Sequence, residues 1–427
     1  MWIVAVTTAE PPRLLLLPFF LLLGAIAVAP LVLRTYWERH YAKVCLILPA
    51  IVIGYYLTVR DFTAVTRALL DYFNFIVVMG SFFTVAGGIH LRARSRCQPL
   101  TNTVFLFLGA LLANIFGTIG ASIVLIRPWM EMNKTRFAGY HLAFFIFIVS
   151  NIGGALLPVG PPLFLGFQKG VPFLWPLIRL WPHWLFVNSV LLTIFFLIDR
   201  RQCVANPAQA ALSSLDARRE RWRLFGKRNL CLMIVLLLAL IFLPSPVNSI
   251  VMIMTALVSY FTSPRHVHEA NGFTFLPLCE VAALFFGIFG TIIPVITYVE
   301  LHAHDLAITS DRAFFWATGL LSAMLDNAPT YLIFLAGSFG LHNLELNNPR
   351  DVTAFVAQHD HSLIAISLGA AFFGALTYLG NGPNLLVKAI AEARNVSCPT
   401  FFGFIFKYAV PVLVPVFALL SILFFLG

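Results

Sequence analysis

Two apolar stretches of this chain are broken by glycine and proline, and they lie at matching places in its two halves. The first, Ser150 to Gly170 (SNIGGALLPVGPPLFLGFQKG), carries Pro158, Gly160, Pro161 and Pro162. The second, Thr377 to Lys388 (TYLGNGPNLLVK), carries Gly380, Asn381, Gly382, Pro383 and Asn384. Aligning Gly160-Pro161-Pro162 with Gly382-Pro383-Asn384 gives an offset of 222 residues, about half of the 427-residue chain. A helix crossing such a stretch lacks an amide hydrogen at each proline, and hydrocarbon holds no water to replace the lost bond. Irregular backbone survives at membrane depth only where protein or a water-filled cavity surrounds it. Paired breaks in corresponding segments of two halves point to a transporter's binding site.

The rest of the chain is apolar enough for that reading. It is 60% hydrophobic and 11% charged, with a mean hydropathy of +0.88, which excludes a soluble globular protein. Its net charge of +10 would suggest nucleic acid in a soluble chain. Here the cations fall in loops between apolar runs, so the expected partner is the lipid bilayer and no nucleic acid. Six scattered cysteines without a CxxC pair read as packing residues, neither disulfides nor a zinc site. The first apolar run holds Ala27-Val28-Ala29, a signal-peptidase-like triplet. Pro30 and the basic Arg34, Arg39 and Lys43 that follow favour a retained helix.

Apolar segments lie near 14–33, 44–59, 72–90, 104–126, 139–168 and 184–198, and again near 229–243, 247–261, 275–298, 314–339, 361–387 and 404–425. A basic linker, 199–228, separates the sets. With the breaks in the fifth segment of each set, this is an internal duplication of residues 1–198 in 229–427. If all twelve segments cross, the two sides carry 16 and 12 of the 28 Lys and Arg. If instead 104–126 and 314–339 dip in and return as re-entrant hairpins, one side carries 21 and the other 7. The positive-inside rule selects the second arrangement. Each half then makes five crossings, with one re-entrant hairpin and one broken helix (139–168 and 361–387). An odd number inverts the halves, puts the linker in the cytoplasm and leaves both termini outside. The fold class expected is an all-α polytopic membrane protein of two inverted repeats.

The hairpins also carry polar residues. The first reads ANIFGTIGAS, with Asn114, Thr118 and Ser122 four apart on one helix face. The second reads MLDNAPTY, with Asp326, Asn327 and Thr330. Matching Gly117-Thr118 to Pro329-Thr330 brings Asn114 opposite Asp326. Two hairpin tips and two broken helices could converge on one cavity and offer free backbone groups to ions and substrate.

At these residues the chain resembles the ion transporter superfamily, which includes NhaD-type sodium/proton antiporters, arsenite permeases, citrate transporters and divalent-anion/sodium symporters. SNIGGALLPVGPP looks like the N-terminal broken-helix motif, LGNGPN the C-terminal one, and MLDNAPT the second hairpin signature; ANIFGT is a looser match. Within the superfamily the chain is most similar to a subgroup of sodium:proton antiporters and citrate transporters. The resemblance implies a dimerising scaffold from 14–90 and 229–298, with a transport domain of hairpins and broken helices moving against it. It also implies one cation site lined by Asn114, Thr118, Asn151 and Gly153, and a partner site lined by Asp326, Asn327, Thr330, Gly382 and Asn384. The Ser-Asn-Thr triplet of the divalent-anion symporters is missing from both hairpins, which favours a cation exchanger over a dicarboxylate carrier.

An acid inside a membrane segment is expensive and functional by default, which marks Asp326; its bland reading is an N-cap for the helix that follows. Glu280 is the second embedded acid and a second candidate for proton coupling, against snorkelling to the cytoplasmic face. Lys388 reads as an interfacial lysine. His302, His304 and Asp305, with His359, Asp360 and His361, could bind zinc but read better as solvated outer-loop residues.

The function these observations imply is secondary transport in a bacterial-type inner membrane by an elevator-like motion, exchanging sodium or lithium for protons at Asp326. The alternative is cation-coupled uptake of citrate or another small carboxylate held at helix N-termini. A metal-dependent membrane enzyme is a remote third reading that leaves the paired breaks unexplained. No bound cofactor is called for, only transported Na+ and H+. No GxxxxGK[ST] motif occurs, so the energy comes from an ion gradient.

Overall fold

The structure, a computed structural model, describes residues 10–92, 98–205, 223–394 and 396–425. Cys97, most of the linker, the first nine residues and the last two lie outside them. Long apolar runs become long helices: α1 (Leu17–Val32), α2 (Arg34–Thr58), α3 (Phe62–Gly87), α4 (Pro99–Met132) and α7 (Trp175–Ala205). Their ends follow local chemistry. The Asp61 carboxylate, for example, accepts from the Ala64 N–H at 3.1 Å and caps α3. The second half supplies α8 (Lys227–Phe242), α9 (Val247–Thr262), α10 (Arg265–Asn271), α11 (Leu276–Thr291) and α12 (Ile293–Leu301). Six helices among the described residues are long and apolar enough to cross a membrane, and two bent pairs, α9–α10 and α11–α12, would raise that to eight. Leu46, Ile47 and Ile51 on α2, and Phe402 and Phe406 near the C-terminus, expose large apolar side chains of the kind lipid covers. The chain is an all-α polytopic membrane protein.

Helix α4 is a hairpin. Gly117 takes φ 68° and ψ 163°, non-helical values that cost a glycine nothing. A straight helix would hold Asn102 and Asn133 about 46 Å apart, yet their side chains hydrogen-bond at 2.8 Å. Phe105 likewise stacks on Trp129 with ring centroids 5.4 Å apart. The arms hold 18 and 15 residues, about 27 and 22 Å, so each falls short of the roughly 30 Å of a hydrocarbon core.

The second hairpin joins α13 (Asp311–Met324) to α14 (Asn327–Leu341) through extended residues Leu325 and Asp326. The charge of Asp311, at the start of one arm, acts on His342 at the end of the other. The turns correct one expected correspondence. Asp326 sits at its tip, as Gly117 does, whereas Asn114 lies a turn before its own, so Asn114 and Asp326 do not match.

Both broken helices share one layout. In the first, α5 (Gly139–Ile148) gives way to a 3-10 turn at Ile152–Gly154, and the chain re-enters a helix at α6 (Pro161–Lys169). In the second, α16 (Asp360–Phe373) ends in a 3-10 turn at Gly374–Leu376 before α17 (Gly382–Glu392). The two 3-10 turns stand 222 positions apart at both ends, 152 to 374 and 154 to 376. The prolines do not interrupt helices here; Pro161, Pro162 and Pro383 occupy first-turn positions, where a missing amide hydrogen costs nothing. A short helix, α15 (Pro349–Gln358), precedes the second broken helix, and α18 (Phe401–Phe404) and α19 (Val410–Phe424) close the chain.

Helices α2 and α3 pack on α9 and α11 across the two halves, while α6 packs on α14 and α4 on α17. Strands β1 (His90–Arg92) and β2 (Arg223–Phe225) pair antiparallel and join the end of α3 to the start of the second half. The polar linker begins later than expected, because residues from Asp199 to Ala205 continue α7. Asp199 is fully buried. It accepts from Tyr140 Oη at 2.7 Å, from Arg136 Nη2 at 2.9 Å and from Asn102 Nδ2 at 3.0 Å, with His141 Nε2 at 3.4 Å. This knot ties both ends of the α4 hairpin and the start of α5 to α7. Asp199→Ala would leave the Arg136 guanidinium buried without its counter-charge, a loss of about 3–5 kcal/mol. The expected result is a clearly lower melting temperature in detergent, and unchanged melting would show the ion pair to be dispensable.

Candidate functional site

Each hairpin tip is bonded to the break of its own half. Before the first tip, Asn114 Nδ2 donates to Gly153 O at 2.8 Å and to Ala110 O at 3.0 Å, and Asn114 Oδ1 accepts from the Leu156 N–H at 2.8 Å. Ser122 Oγ meets Ser150 Oγ at 2.8 Å, and Trp184 Nε1 donates to Gly153 O from α7. At the second tip, Thr377 Oγ1 donates to Ala323 O at 2.6 Å and accepts from the Leu379 and Gly380 amides. Carbonyls and amides that a broken helix leaves unpaired are thereby satisfied.

The two breaks are then bonded to each other. Asn151 Nδ2 donates to Asn384 Oδ1 at 2.8 Å and to Ile146 O, and Asn151 Oδ1 accepts from Asn381 Nδ2 at 3.0 Å. Asn381 Nδ2 also reaches Ser150 O at 2.9 Å, and Asn384 Nδ2 donates to Gly374 O and Thr377 O. Asn151 and two buried amides of the other half, 230 and 233 residues away in sequence, thus form one crossing. α6 and α17 begin beside it, at Gly160 and Asn381. α6 opens on Pro161 and Pro162, which carry no amide hydrogen, so of the two helix starts only that of α17 offers an amide in its first position, that of Gly382.

Sequence reasoning placed nine residues at binding sites, and the structure gives them different work. Asn114, Asn151 and Asn384 spend their amides on the backbone and on each other. Gly153 lends its carbonyl to Asn114 and Trp184. Asp326 realises its N-cap reading, with Oδ1 accepting from the Ala328 N–H at 3.1 Å, and its second carboxylate oxygen has no hydrogen bond among the described residues. Thr330 Oγ1 turns back to Asp326 O. Two buried oxygens remain unspent: Thr118 Oγ1, directly after Gly117, and Asn327 Oδ1, directly after Asp326. They occupy the same place in the two hairpins. A buried oxygen without a donor costs about 1–3 kcal/mol, and oxygens of this type are the ligands hard cations use.

Other expected residues fall away from the crossing. Glu280 is exposed, on the second turn of α11, and its charge acts on Tyr41. Lys388 Nζ lies 3.6 Å from Glu392 and 4.9 Å over the Tyr378 ring. His302 approaches Glu10, Asp360 binds Trp175 and Arg179, and His359 stacks on His342. Among the described residues no three His, Cys, Asp or Glu side chains are grouped to hold a metal. Trp184 and the Asp199 knot carried no sequence signal, because a Trp or Asp at the end of an apolar run has no spacing that marks its partner.

The glycines here differ sharply. A Cβ on Gly153 would lie 2.4 Å from Ile148 O and 2.6 Å from Ala110 Cα, both backbone atoms, whereas one on the exposed Gly382 meets nothing within 4 Å. Gly153→Ala is therefore expected to reduce folded yield severely and Gly382→Ala to leave it unchanged, as size-exclusion profiles of the two variants would show.

The model of a family described as "Putative citrate transport" matches residues 8–425, nearly the whole chain. No curated protein matches it.

Proposed function

The chain belongs to this citrate-transport family, and from that premise we propose that it carries citrate or a similar small carboxylate across the membrane together with a cation. The protein is a transporter. The observation that carries the cation half of the reading is the pair of unspent oxygens, Thr118 Oγ1 and Asn327 Oδ1, one after each tip, with the free oxygen of Asp326 beside the second. The anion half rests on the family. Pinning each tip to a break, and the breaks to each other, lets the whole group move as a body against α1–α3 and their second-half counterparts. That body is the moving part of an elevator mechanism in an inner membrane, with the linker cytoplasmic and the scaffold helices pairing two copies.

A second reading keeps the cation and drops the anion: sodium/proton exchange at Asp326. The free carboxylate oxygen favours it, since one carboxylate can hold a proton or a sodium ion by turns. Proteoliposomes separate the two. Citrate coupling predicts that labelled citrate accumulates only under an imposed sodium or proton gradient. Sodium pulses that release protons without citrate, from vesicles that take up no citrate, would overturn it in favour of exchange.

A further inference from the structure

A half-buried arginine below the crossing has one guanidinium nitrogen enclosed without a partner among the described residues. Arg127 sits in the second arm of α4, nine residues past Thr118, about 13 Å along that arm. Its Nη1 is buried and has no hydrogen-bond partner among the described residues. The charge acting on it is a like one, Arg394, just past the end of α17. That helix packs along α4 and, like the arm that carries Arg127, starts at the crossing. The turn between α10 and α11 covers the guanidinium, since a Cβ on Gly272 would lie 3.0 Å from Arg127 Nη2. That side of the guanidinium therefore meets protein and not lipid. Both arginines lie on the side where loop charge concentrates.

Enclosing one nitrogen of the half-buried Arg127 without an acceptor, with the exposed Arg394 acting on it, costs hydration and adds like-charge repulsion. A bound anion removes both costs. The planar guanidinium fork fits a carboxylate with two parallel hydrogen bonds. We propose that Arg127 and Arg394 form a carboxylate seat at one mouth of the transport path, where the transported polycarboxylate docks on its way to or from the crossing. This rests on the transport reading above and adds to it a second anion station, on one side only. A phosphate ion or a lipid phosphate offers similar oxygens, so the test must tell these sources apart.

Labelled citrate uptake into inverted and right-side-out vesicles would be compared for wild type, Arg127→Gln, Arg127→Lys and Arg394→Gln. The seat predicts that Arg127→Gln raises KM about tenfold or more from the Arg127 side alone, as expected for the loss of a charge-assisted pair. Lysine should restore part of the affinity, and Arg394→Gln should give a smaller rise on the same side. In parallel, purified protein would be melted with citrate, inorganic phosphate or an anionic phospholipid. Citrate should stabilise wild type more than it stabilises Arg127→Gln. Active citrate transport with the same KM in wild type and Arg127→Gln on both sides would overturn the seat and leave the transport reading standing. Stabilisation lost in Arg127→Gln for phosphate or phospholipid, but not for citrate, would also overturn it and assign the guanidinium to another anion. A wild type that moves no citrate in either orientation would sink the transport reading, and the seat's ligand with it.

Discussion

Asp326→Asn should abolish gradient-driven citrate accumulation while leaving the protein folded. The asparagine oxygen still accepts from the Ala328 N–H, so the cap on α14 survives. What disappears is the one charge at a hairpin tip. A monovalent cation about 4 Å from a carboxylate gains roughly 4 kcal/mol at an effective dielectric of 20, so its affinity should fall on the order of a hundredfold or more. Citrate exchange between equal pools needs no net cation flux and should suffer less than accumulation. Uptake with and without a gradient, measured on the same vesicles, checks both statements. Full accumulation in the variant would reduce Asp326 to a helix cap.

Asn151→Leu should cost more in stability than any other single change at the crossing. It strips the donor from Asn384 Oδ1, one acceptor from Asn381 Nδ2 and the donor from Ile146 O, all buried. Groups left unpaired there cost about 1–3 kcal/mol each, so a loss of at least about 2 kcal/mol is expected, with transport lost as the two breaks come apart. Melting in detergent measures the first effect and citrate uptake the second. A variant that melts and transports like wild type would mean that the amides fill space and pin nothing.

How much of this was legible in the sequence depends on whether the signal was local. The breaks were, because glycine and proline act on their own backbone; the repeat at 222 residues reappears in the two 3-10 turns. Loop charge asked for a return within 104–126 without placing its turn, which lies at Gly117. Partnership across the chain was not. Nothing in the sequence pairs Asn151 with Asn381 and Asn384, and Asn381, read as backbone alone, is a side-chain member of the crossing. Matching the tips by Thr118 and Thr330 misplaced Asn114 against Asp326, since the second hairpin turns in extended residues and not at a glycine. Arg127 was counted among loop charges, yet it lies within the second arm of α4, where its neighbours come from α10 and α17.

The most direct test of coupled transport is the affinity of purified protein for labelled citrate, titrated across sodium concentrations and pH. Coupling at one crossing requires reciprocal linkage: a cation that drives citrate uptake must tighten citrate binding, and citrate must tighten binding of that cation by the same factor. The prediction is a Kd that falls as sodium or proton activity rises, and that stops responding in Asp326→Asn. Citrate bound with one affinity across every sodium concentration and pH, or not bound at all, would contradict it.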